Sequence, residues 1–97
     1  MSLLAGDLLS QDSYLLELCS SRSSWTVIPE EVEEIVLDEV GLRISESGWK
    51  LKIQTRFCWI FEGPTKLTLY PSGKLLIKTQ SNEEAHTIAK RYIKEWL

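Results

Sequence analysis

One histidine, one methionine, two cysteines and three prolines occur among 97 residues. Cys19 and Cys58 lie too far apart in the chain to read as a metal site, so two separate thiols are expected, with a lone disulfide as the alternative. A single histidine, with no Cys-His or Ser-His-Asp grouping around it, leaves nothing for acid–base or nucleophilic catalysis. There is no glycine-rich phosphate loop either. The chain is therefore expected not to be an enzyme and to carry no cofactor and no metal. The longest uninterrupted apolar run, residues 57–61, is far shorter than the ~20 residues of a membrane helix, which excludes the membrane as a partner. No basic segment followed by a long apolar one opens the chain, so no secretion signal is expected and the cytoplasm is the expected location.

Charge is present in both signs, and it is unevenly distributed. The net charge of −3 conceals one Arg against nine acids over residues 1–41 and seven Lys or Arg against two acids over residues 42–80. The acidic half reads as a solvated outer face, with a surface for a basic partner as the alternative. The basic segment makes a polyanionic partner worth considering despite the overall sign.

Ninety-seven residues leave room for one core and so one domain over residues 1–97, and hydrophobic periodicity gives it an α+β class: an antiparallel sheet of about four to five strands with helices packed on one face. Residues 1–22 are expected to form an N-terminal extension, frayed at the start. A short helix then begins from Ser10 or Asp12 with an apolar side of Leu15, Leu16, Leu18 and Cys19. Residues 25–97 read as a β-α-β-β-β-β-α core. Residues 25–28 suit a short strand or an extended lead-in. Pro29 then opens a helix over residues 29–40, with Val32, Ile35, Val36 and Val40 as its stripe and Gly41 as its stop. Residues 42–45 begin the sheet. From Trp49 to Phe61 the odd positions are apolar and the even ones mostly polar, the period of a half-buried strand. A break or bulge near residues 54–56, or two shorter strands, is the alternative. Residues 66–70 and 75–77 alternate on either side of a Pro71-Ser72-Gly73 turn. Ser81 or Asn82 caps a final helix from about Glu83 to Trp96, with Ala85, Ile88, Ala89, Tyr92, Ile93 and Trp96 inward and His86 exposed to solvent.

If the apolar rows meet the helices, the other side of the sheet carries Arg43, Ser45, Lys50, Lys52, Gln54, Arg56, Lys66, Thr68, Tyr70, Leu76, Lys78 and Gln80, with Cys58 and Ile60 toward one end. Six basic residues and no acid fall on that predicted face. Arg43, Lys50, Lys52, Arg56, Lys66 and Lys78 are the expected contacts to the phosphates of DNA or RNA, with Tyr70 and Leu76 touching sugars or base edges. The same residue types also serve solubility or a protein partner, and both readings stand beside the first.

The run EGPTKLTLYPSGKLLIKTQSNEEA at 62–85, followed by AKRY at 89–92, resembles one repeat of the TATA-box-binding protein family. The resemblance implies a curved antiparallel sheet with helices on its convex side. It places Tyr70 where the family has an intercalating phenylalanine, and Leu76 and Lys78 where residues face the groove. The family's other intercalating phenylalanine aligns near Gln54, which is no apolar wedge, and Pro71 replaces a small residue. The family's saddle has two repeats and this chain has room for one, so the resemblance also implies a homodimer that rebuilds the saddle.

Overall fold

The computed structural model describes residues 14–18, 23–30 and 32–97. In chain order these form β1 (Tyr14–Leu18), β2 (Trp25–Pro29), α1 (Leu37–Glu46), β3 (Lys50–Gln54), β4 (Trp59–Glu62), β5 (Lys66–Leu69), β6 (Leu75–Lys78) and α2 (Asn82–Arg91), which widens into a π-helical turn (Tyr92–Trp96). The six strands make one open sheet in the order β1-β2-β6-β5-β4-β3, with antiparallel pairing throughout. The class is α+β as expected, with six strands rather than four or five.

Alternation sets the core. Val27, Trp59, Phe61, Leu67, Leu69, Leu75 and Ile77 face one side of the sheet, where they are buried with Val40 and Ile44 of α1, Ile88 and Ala89 of α2, and Tyr92 and Trp96 of the closing turn. Two indoles lock that turn down. Trp96 Nε1 donates to Ser47 Oγ at 2.7 Å and Trp49 Nε1 donates to the Thr65 carbonyl at 3.0 Å. The two rings meet edge to face with centroids 5.3 Å apart, and the Arg91 guanidinium lies over both. The α2 helix starts where the sequence places it: Ser81 is the N-cap and its Oγ accepts from the Glu84 amide.

The N-terminal half departs from expectation. Residues 14–18, read as part of a helix, are a strand paired along its whole length with β2. A short apolar run does not distinguish the two states by periodicity. The start of that helix at Ser10 or Asp12, the Cys19 of its apolar side and the frayed first residues lie outside the described residues. The expected helix over residues 29–40 is displaced: Val32 to Val36 have no regular secondary structure, Val36 is extended as the N-cap, and helix begins at Leu37. The Ile35 amide donates to the Pro71 carbonyl at 2.8 Å, and Val32 packs against the Gly73 turn, so this β-branched stretch is held as a strap across the β5–β6 turn.

Gly41 does not stop α1. It lies within the helix, where a Cβ would come 2.4 Å from the Trp59 ring, and its bareness lets the helix lie close on β4. The helix instead runs through the residues expected to begin the sheet and ends at Glu46, with Ser47 as its C-cap and Gly48, at a φ of +112°, turning the chain away just after it.

Candidate functional site

Lys50, Lys52, Lys66 and Lys78 come together at one end of the sheet face opposite the two described helices. Lys66 stands directly opposite Lys78 across β5 and β6, and Lys50 stands opposite Glu62 across β3 and β4. The Lys52 ammonium reaches the Glu62 carboxylate at 3.9 Å, an exposed pair of small energetic worth. Glu62 is thus an acid on a face expected to have none.

Beside the charged residues runs a second row, in which register places Thr26, Leu76, Thr68, Ile60 and Ile53 side by side from β2 to β3. Glu17 of β1 continues the row past Thr26. Leu76, Thr68 and Ile60 are half-buried, and neither described helix lies on them. Beyond this row lie Tyr70, Ile28 and Cys58, also half-buried; Cys58 is a free thiol, and Cys19 lies outside the described residues.

Two expected basic contacts are elsewhere. Arg43 is in α1 on the helix side of the sheet, because residues 42–45 continue the helix, and its Nη1 donates to the Trp96 carbonyl at 2.8 Å. Arg56 sits in the β3–β4 turn, where it shares a cleft with Leu37, Asp38, Gln54, Thr55 and Trp59. Gln54 also leaves the uncovered face. The register shifts between Leu51 and Ile53, so Ile53 pairs with Ile60 and Gln54 with Trp59. This bulge exchanges the faces of the two residues, bringing Ile53 out and turning Gln54 toward the helices.

Phe57, expected in the buried row, is 74% exposed. It occupies a turn in which Thr55 Oγ1 accepts from the amides of Phe57 and Cys58. Such a turn ends the alternation at Gln54, and Thr55 followed by Arg56 was the local signal for it. The residues of this face missed from the sequence are therefore Ile53, Glu62, Thr26 and Ile28, and the exposure of Phe57 beside it was missed as well. His86 is exposed as expected, with its ring 6.4 Å from that of Trp25.

Among the described residues no group of three or more His, Cys, Asp or Glu side chains is placed to hold a metal ion, and no helix is long and apolar enough to cross a membrane. Comparison with models of known families, with curated proteins and with solved structures finds no match to this chain.

Proposed function

We propose that the protein is a small non-enzymatic module, cytoplasmic in location, that holds nucleic acid against the uncovered face of its sheet. The observation that carries this reading is the gathering of Lys50, Lys52, Lys66 and Lys78 at one end of that face, next to Ile60, Thr68 and Leu76, with a single acid, Glu62, among the lysines. Lysines that neutralise phosphates supply sequence-independent affinity, and a flat β-branched and aliphatic row contacts sugars and base edges without selecting a sequence. Tyr70 lies on the same face, and the exposed ring of Phe57 offers an apolar group for stacking or insertion. From Trp25 onward the order strand, helix, four strands, helix supports placing the chain with TATA-box-binding protein-like single-repeat domains.

Binding of labelled oligonucleotides, followed by fluorescence anisotropy, tests the proposal. Affinity falls steeply between ~50 and ~200 mM salt, and replacing Lys50, Lys52, Lys66 and Lys78 with Glu abolishes it. Wild-type protein that leaves every oligonucleotide unbound at the lower salt overturns the proposal.

A second reading, a protein-interaction or assembly module, is favoured by the exposure of Leu15 (51%) and Ile53 (48%) at opposite margins of the same face. A homodimer that joins two sheets into a saddle is one form of it. Partners retained in a pull-down after nuclease digestion support this reading. A monomer mass by sedimentation at about 100 μM excludes the dimer.

A further inference from the structure

The uncovered face is only two residues deep where its charge lies. Strands β4, β5 and β6 have four residues each, so each presents two side chains to that face: Ile60 and Glu62, Thr68 and Lys66, Leu76 and Lys78. In every pair the uncharged residue lies in one row and the charged residue in the other, and β3 continues both rows with Ile53 and Lys50. Two residues along a strand separate the rows by roughly 7 Å, and strands roughly 4.8 Å apart spread the charged row over roughly 14 Å from Lys78 to Lys50.

We infer that the occupant of this face is one single strand of nucleic acid rather than a duplex, a deduction that rests on the nucleic-acid reading above. A duplex groove is walled by two phosphate backbones and needs cations on both sides of the contacted bases. Among the described residues four lysines gather on one side, three of them in a row that Glu62 interrupts. At the opposite end the cations are Arg56, which shares its cleft with Asp38, and Lys74 in the β5–β6 turn. One row of ammonium groups beside one row of Leu76, Thr68, Ile60 and Ile53 matches the two parts of a single strand, its phosphates and its bases. Tyr70 and Phe57 lie beyond the base row, where a base extending past it has an aromatic partner.

Lys66 and Lys78 are the centre of this arrangement. Like charges placed directly across a strand pair repel each other, and among the described residues neither forms an ion pair. A phosphate lying between the two ammonium groups removes that repulsion. Lys52, already engaged by Glu62, contributes less.

The test compares a single-stranded probe of roughly 12 nucleotides and mixed sequence with the same probe annealed to its complement, both titrated with the full chain at ~50 mM salt. The single strand is expected to bind at least about tenfold tighter, with a log–log salt slope near −2 from about three neutralised phosphates. The double variant Lys66→Gln, Lys78→Gln is expected to lose most of that affinity while its circular dichroism stays that of wild type and its melting temperature is no lower. Duplex binding as tight as that of the single strand, or affinity unchanged in the double variant, overturns the inference and leaves the nucleic-acid reading standing. Absence of binding to both probes removes both and favours a protein partner.

Discussion

The Tyr92 hydroxyl donates to the Gly73 carbonyl at 2.6 Å, joining the end of α2 to the turn between β5 and β6. Burial holds that hydroxyl protonated well above the ordinary tyrosine value of 10.0. In the unfolded chain the phenol ionises at its ordinary value, so the unfolded state loses a proton first as pH rises. The stabilisation is complete below about pH 10 and declines above it, by up to about 1.4 kcal/mol per pH unit. Tyr92→Phe is expected to flatten this alkaline decline and to cost about 1–2 kcal/mol at neutral pH, because the Gly73 carbonyl loses its donor. Urea unfolding of both proteins between pH 7 and 11 checks the two effects together.

Gly41→Ala is expected to destabilise the fold even though alanine is the better helix former. The propensity gain of about 1 kcal/mol is set against a methyl placed 2.4 Å from the ring of Trp59, itself only 8% exposed. Over-packing at so closed a site costs about 1–3 kcal/mol. A lower denaturation midpoint, with a shifted Trp59 fluorescence maximum, is the expected outcome.

Gly48 and Gly73 both have positive φ, yet their alanine variants should differ. At Gly48 a Cβ meets nothing within 4 Å, so only backbone strain of about 1 kcal/mol is expected. At Gly73 the φ of +97° is combined with a Cβ 2.9 Å from Val32. Gly73→Ala should therefore lower the melting temperature more, and Val32→Ala in the same chain should recover part of the difference.

Arg43→Ala removes the side chain that donates to the Trp96 carbonyl, at a cost of about 1 kcal/mol. The loss should be local. The Leu97 amide, which donates to the Tyr92 carbonyl at 2.8 Å, is expected to exchange with deuterium faster while amides of β5 and β6 keep their rates.

The hairpin of β5 and β6 and the capped α2 were legible because each carries two agreeing signals: Leu67 and Leu69 alternate toward a turn that contains Gly73, and Ser81 precedes a stripe of Ala85, Ile88 and Ala89. The first helix was misplaced because glutamates around Val32 imitate a helix start, whereas the Ile35 amide is taken by a carbonyl 36 residues further on. No local rule conveys that contact. Gly41 reads as a helix stop in the sequence because the close approach of Trp59 arises only in three dimensions. At the candidate site, Lys66, Lys78, Tyr70 and Leu76 followed from alternation within short strands. Ile53, Gln54 and Phe57 did not, since the bulge and the turn each break the period of two, and extending the alternation through them reverses every later assignment on β3. Arg43 was lost to the face for the same reason that α1 was placed too early.

The bulge at Lys52 has a further effect, on which neighbours the sheet will accept. Among the described strands β3 lies at one margin of the sheet, where unpaired amides and carbonyls invite a foreign chain to extend the ladder. The kinked spacing between Leu51 and Ile53 disrupts that template, and the two flanking ammonium groups of Lys50 and Lys52 repel an identical margin from another molecule. Runaway stacking into fibres is therefore discouraged at β3 by the same lysines that are proposed to hold phosphates.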